Sequence, residues 1–535
     1  MSLANRFTLP LAFLSLALLA GCGSNNNGPA PNQQGFTNAN LTGTYVFFSQ
    51  GFDTGVSNGG AAAPLTLAGA FTANGSGSIT GGTMDALDPV LGMDPDVAIT
   101  SGSYVVSSDG RGQAQLTTGI GNFTIDFVLT SGASGLSTHG LVTEFDGFGS
   151  GSGTLDLQTA IGSQSAIAGS YAFTMAGSDA GGNTFASVGG FTLNTGGAIT
   201  AGIEDFSDNG SPLLGQALSG TVTVGTGTGP GTMSLTSSFG TLAFDFYPID
   251  ATHFKIVETD GFEFLEGDAF TQNGASIPTG PMAFTMSGGL TTAVGNGGVM
   301  TSDGTGNFTG GLEDINNEGN ITSQQAFTGS KSSGATFGRV VVNLTGFSPA
   351  TEWVIYPSSG GLQIMESDNL NTTIGTAYAQ SAGATLSTTQ GYGLNLSAFD
   401  FHDVIVENSI GEFTSKNGTY SGGIDINDDV IGQGESLNGN LAFGVSFTGP
   451  DSTGRGTATT TAGGSGYISF DYYLVDDSTA IFLETDTIQV GTGVFGLQTS
   501  AGSSVMQRGA LARARPLVGV HIPKAGKIKR NTKYN

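Results

Sequence analysis

One short strand pattern ending in two acids occurs four times in this chain. It reads VTEFD at 142–146, IVETD at 256–260, IMESD at 364–368 and FLETD at 482–486. Successive copies lie 108 to 118 residues apart. A fixed period constrains a fold more than any local signal, because every copy must be able to adopt the same structure. Other markers keep the same order. Each copy opens on a glycine and an apolar strand: GTYVFF from Gly43, GSYAFTM from Gly169, GPMAFTM from Gly280 and GYGLNL from Gly391. A small-residue pair then leads into acids at GGTMD (81–85), AGIED (201–205), GGLED (310–314) and GGIDI (422–426). Each copy ends near a glutamine, at Gln158, Gln272, Gln380 and Gln498.

The second copy divides into eight candidate strands: SYAFTMAG, ASVGGFTLN, GAITAGIEDF, LSGTVTV, GTMSLTS, GTLAFDFYPI, HFKIVETD and EFLEGDAFTQ. Asn74-Gly75, Asp303-Gly304 and Asn417-Gly418 supply the positive φ that tight hairpins demand. Eight sequential hairpin strands in about 110 residues describe a meander that can close into a barrel and so remove its exposed edges. The expected class is all-β: a tandem array of four antiparallel, up-and-down, eight-stranded barrel-like modules, with β-sandwiches as the alternative. The layout is similar to lipocalin- and avidin-type barrels in architecture alone. Modules are expected at 38–160, 161–274, 275–382 and 383–502. In LAFDFY, Leu242, Phe244 and Phe246 share one face and Asp245 the other, so the aromatic face is expected inside and Asp245 outside.

Composition agrees with exported β structure. There are 90 glycines and only 11% charged residues. Net charge is -27, which argues against nucleic acid as a partner. Eight of the 15 basic residues lie between Arg508 and Lys533, setting 503–535 apart as a basic tail expected to be disordered.

The amino-terminal residues 1–21 carry Arg6 and an apolar run from Leu9 to Ala20, the pattern of an export signal. They end in Leu19-Ala20-Gly21-Cys22, and Cys22 is the one cysteine of the chain. This stretch resembles the lipobox of bacterial lipoproteins. The resemblance implies a diacylglycerol thioether on Cys22, cleavage before it and acylation of the new terminus. Gly23 in place of aspartate leans toward the outer membrane, on its periplasmic or cell-surface face. Residues 22–37 then form a polar tether.

Several residue patterns bear on chemistry. The recurrent Glu144, Glu258, Glu366 and Glu484 are expected to be structural. Paired with Asp126, Asp245 or Asp471, three of them also suggest acid–base work on a glycan. Asp205, Ser207 and Asn209, and likewise Asp314, Asn316 and Glu318, alternate oxygen ligands as the start of a calcium loop does, yet lack the closing glutamate at position 12. Arg111, Arg339 and Arg455 recur at one turn, where module two has Pro230, and a salt bridge to a module carboxylate is their expected role. His139, His253, His402 and His521 share no module position and show no metal spacing. No catalytic set runs through all four copies, and no cofactor is expected beyond the lipid and a weak prospect of calcium.

The expected function is that of a lipid-anchored envelope repeat protein, non-enzymatic, serving binding, adhesion or scaffolding. Its partners would be the membrane through its anchor and an envelope glycan, a protein or a small apolar ligand. The chain is similar to repeat lipoproteins of Gram-negative bacteria, which implies no particular activity. The alternatives are a lipocalin-like carrier of apolar ligands and a glycan-acting enzyme using paired carboxylates.

Overall fold

The computed structural model describes residues 35–498, apart from 54–62, 90–91, 132–134, 180, 228, 417 and 431–433. Cys22, the signal segment 1–21, most of the tether and the basic tail lie outside the described residues. The chain forms four closed antiparallel barrels of eight strands, each a simple meander. They span 42–157, 169–271, 279–379 and 391–497 and are called barrels 1 to 4. The sandwich alternative falls, because the first strand of each barrel pairs with the last: Thr42–Asp53 with Ser150–Leu157 in barrel 1, for example. In barrel 2 the fourth strand is broken at Leu218 into Ser211–Ala217 and Ser219–Thr223, both paired with Ala198–Asp208. All eight sequence candidates of that barrel are strands, but the segment SPLLGQA, omitted from the sequence count, belongs to the fourth.

Alternation fills each interior with one face of every strand. Barrel 1 encloses Tyr45, Phe47, Phe71 and Phe127, and barrel 4 encloses Phe413, Phe470, Phe482 and Phe495. Trp353 takes such an interior place in barrel 3. The opposite face of many strands is also buried, because the barrels pack on one another. Val46 and Phe48 of barrel 1 meet Tyr247 and Ile249 of barrel 2. Ala172 and Val188 of barrel 2 meet Val354 and Tyr356 of barrel 3. A third cluster joins Ala283 of barrel 3, Tyr473 of barrel 4 and Val128 of barrel 1.

These contacts close a ring. The terminal glutamine of each barrel reaches forward to backbone carbonyls of the next. Gln158 Nε2 donates to the Pro248 carbonyl (2.8 Å). Gln272 donates to Phe337 and Pro357, both at 2.8 Å, and Gln380 to Thr453 (3.0 Å) and Leu474 (2.8 Å). Gln498 of barrel 4 donates to Asp109 (2.6 Å) and Leu129 (3.0 Å) of barrel 1. Because the same contact repeats around the cycle, equivalent loops lie on the same face of the ring. The first and last described residues of the barrels and the links between barrels occupy one face, where the Phe36 amide donates to the Ser108 carbonyl. The loops after the first, third, fifth and seventh strands occupy the other.

Candidate functional site

The four recurrent glutamates lie inside the barrels at this second face. Register places Glu144 opposite Ile125, Glu258 opposite Phe244, Glu366 opposite Trp353 and Glu484 opposite Phe470, all interior positions. Asp245 pairs with Val257 and so points the other way. The Asp–Glu pairs of the sequence therefore lie on opposite faces of their sheet. The aspartate two residues after each glutamate builds the adjoining turn. Asp146, Asp260 and Asp368 accept from Thr124, Ala243 and Glu352 amides at 2.7, 2.6 and 2.9 Å. Burial, and after it the neighbouring aspartate, pushes every one of these glutamates upward: Glu258 to about 9, Glu366 to about 8, Glu144 and Glu484 also well above the usual range.

What surrounds the glutamate differs between barrels. The second strand supplies two mouth positions on either side of one register. In barrel 2 these are Phe185 and Ser187, in barrel 4 Glu407 and Ser409, in barrel 1 Leu65 and Leu67. In barrel 3 they are Val294 and Asn296. Barrel 2 is plugged by Phe185, Phe206 and Phe239, with ring centroids 5.2 to 5.6 Å apart. Barrel 4 is plugged by Tyr467, whose hydroxyl donates to Glu407 and lies 2.8 Å from Ser409 Oγ. Barrel 3 retains Phe347 on the loop that carries Phe239 in barrel 2, but has Val294 and Ile315 where barrel 2 has Phe185 and Phe206.

The missing rings leave a pocket of about 310 Å³ in the mouth of barrel 3. Its apolar wall includes Val294, Ile315, Phe347 and Trp353, and its polar wall includes Asn296, Glu313, Glu366 and Asn371. Asn296 Nδ2 donates to Glu313 Oε1 (2.7 Å), and its own Oδ1 is buried and, among the described residues, without a partner. Thr373 Oγ1 donates to Glu366 Oε2 (2.8 Å). Burial pushes Glu313 up to about 7. Sequence reasoning had Glu366 but not Asn296, Glu313 or Phe347. Glu313 and Phe347 match Glu204 and Phe239 of barrel 2, so the signal lay instead in Val294 and Ile315, smaller than the Phe185 and Phe206 that fill the same positions there.

The paired calcium-like turns place their oxygens on separate partners. Asp205 accepts from Arg339 Nε (2.7 Å) and Nη2 (2.5 Å) and from the Tyr356 hydroxyl. Asp314 accepts from Arg455 Nε (2.7 Å) and Nη2 (2.9 Å) and from the Tyr473 hydroxyl (2.7 Å). Ser207 Oγ lies 3.0 Å from Thr372 Oγ1, and Asn316 Nδ2 donates to Glu484 and Gln489 carbonyls. Asn209 and Glu318 take positive φ (47° and 42°) at the hairpin tips. The recurrent arginines thus do form salt bridges, and all three reach across to an aspartate of the neighbouring barrel.

No family model matches the sequence, and no curated protein matches it. Among solved structures, transferrin binding protein B from Haemophilus parasuis Hp5, in its Trp-176-Ala mutant, is 10% identical. The match covers 70% of this chain and 85% of that one, with a TM-score of 0.18. Transferrin binding protein B from serogroup B Neisseria meningitidis is 11% identical over 68% of this chain and 85% of that one, with a TM-score of 0.16. At such TM-scores the likeness does not reach a common arrangement of the whole chain, and it assigns nothing to this protein.

Proposed function

We propose that this protein is a lipid-anchored binding protein of the bacterial envelope. Its ligand is a small, neutral, hydroxyl-rich molecule, a sugar or polyol, taken into the mouth of barrel 3. The observation that carries this reading is the pocket of about 310 Å³, a size within the range of ligand sites. Trp353 and Phe347 offer ring faces for C–H surfaces, while Asn296, Glu313, Glu366 and Asn371 offer donors and acceptors. An apolar cargo would leave those buried polar atoms unpaired, which disfavours the lipocalin-like carrier. Glycan hydrolysis needs one protonated and one ionised carboxyl. Glu313 and Glu366 are both pushed upward, which favours binding over catalysis.

Anchoring rests on the lipobox-like LLAGC ending at Cys22. The tether would join the ring at the face bearing Phe36, and the pocket opens at the opposite face, away from the membrane. A glycan array followed by calorimetry on the full chain tests the binding reading. Trp353→Ala should lower affinity by at least about tenfold, about 1.4 kcal/mol. Equal binding by both proteins would remove the pocket from the account. Metabolic labelling with an alkyne fatty acid tests the anchor, with label lost in Cys22→Ser.

A further inference from the structure

Each junction between barrels is built around one aspartate of a third strand: Asp85, Asp205, Asp314 and Asp425. Each sits at a β-bulge, where two fourth-strand residues oppose it. The second bulge residue takes positive φ in every copy: Asp96 (56°), Gly215 (68°), Gln324 (52°) and Asn440 (53°). Its amide donates to the aspartate at 2.8, 2.7, 2.8 and 2.5 Å. The bulge turns the carboxylate outward, toward the next barrel.

At three junctions a guanidinium of that next barrel meets the aspartate. Arg339 and Arg455 do so directly, and Arg111 Nη1 lies 3.7 Å from Asp425. Flanking positions join in. Asn440 Oδ1 accepts from Arg111 Nη2 (2.8 Å), and Asp471 Oδ2 accepts from Arg455 Nη2 (2.6 Å). The junction of barrels 1 and 2 has the same three positions, but all are carboxylates: Asp85, Asp96 and Asp245. The arginine position is Pro230. One oxygen from each of the three acids lies within 4.8 Å of the others. The Tyr247 hydroxyl donates to Asp85 (2.8 Å).

Asp245 is 6% exposed and, among the described residues, accepts no hydrogen bond. It nonetheless aims an oxygen into this group. Its equivalents are partnered, Asp471 by Arg455 and Asp126 by Gln113 Nε2 (2.7 Å). Lys255 is at the same junction, but its Nζ is held by Asp268 (2.9 Å) and lies over the Phe48 ring.

We infer that Asp85, Asp96 and Asp245 bind a hard divalent cation, calcium, which takes at the junction of barrels 1 and 2 the place that a guanidinium takes at the other three. An all-oxygen set suits calcium. The half-open side at Asp96, an exposed residue, admits waters to complete the shell. This site is separate from the barrel 3 pocket and stands or falls without it.

Calorimetry with calcium chloride on the full chain, stripped with EDTA, tests the inference. The expected result is a single equivalent bound, a higher melting temperature, and loss of both in Asp245→Asn. Pro230→Arg should restore the guanidinium, raise the cation-free melting temperature and abolish calcium binding. If Asp245→Asn fails to fold, Asp96→Asn, at the exposed edge, provides the same reading. Unchanged melting with no calcium bound, or undiminished binding in Asp96→Asn and Pro230→Arg, would overturn it.

Discussion

Barrels 2 and 3 share a strand plan, an interior glutamate at the mouth and a neighbour on each side, yet one mouth is solid and the other hollow. Barrel 2 stacks Phe185 on Phe206 and sets Phe239 edge-on to both. Barrel 3 keeps only the third of these rings, as Phe347, and turns amides and carboxyls inward around it. The strands carry the fold in both cases, so mouth residues are free to vary. A module whose stability comes from closure and from a packed middle can give up its end to a ligand. Duplication supplies the other copies as structural support.

This contrast can be broken most forcefully in barrel 2. Phe206→Ala removes the central ring of a buried cluster, and the lost burial plus the cavity should cost about 3–5 kcal/mol in urea unfolding. Ile315→Ala, at the equivalent position of barrel 3, faces a pocket already open and should cost far less. A similar loss at both positions would mean the two mouths are packed alike.

The reverse exchange should empty the proposed function. Val294→Phe copies Phe185 into barrel 3, and there is room for the ring. Ligand affinity should fall by at least about tenfold, while stability changes by less than about 1.5 kcal/mol. Retained affinity would place the ligand elsewhere.

Smaller effects separate the two glutamates. A carboxyl pushed upward on folding contributes stability that is full below its unfolded pKa, near about 4.3, and is lost as pH rises through its folded value. For Glu258 that loss runs up to about 9, and for Glu366 up to about 8. Urea midpoints should therefore fall between pH 5 and pH 9. Glu258→Gln should flatten the fall more than Glu366→Gln does. A fall unaltered by either substitution would assign it to other acids. The least effect is expected from Asn371→Ala, at the pocket rim. It should weaken ligand binding a few-fold and leave the midpoint unchanged, and a large loss of stability there would mark Asn371 as structural.

Much of this was legible in the chain. Period-2 alternation and Asn-Gly or Asp-Gly turns mark strands because they depend on neighbours in sequence alone. The repeat located the glutamines and glutamates that recur because every barrel needs the same link and the same turn. Asp245 was legible only in part. Its alternation with Phe244 and Phe246 does put it outside its own barrel. There, however, it is buried against barrel 1 and not in solvent. The continuous apolar run Tyr45-Val46-Phe47-Phe48 carried the warning, since a strand with one wet face would alternate.

The sequence by itself determined four copies of an eight-stranded meander, because hairpin pairing and strand faces follow from local order. Only the tertiary structure decided that the copies form a ring. It also set which carboxylates meet a guanidinium across a junction, and which mouth stays hollow. Those outcomes depend on residues more than 100 positions apart, such as Arg339 with Asp205 or Gln498 with Asp109. They depend equally on volumes left when a large side chain is absent, and neither is written in the periodicity of any one strand.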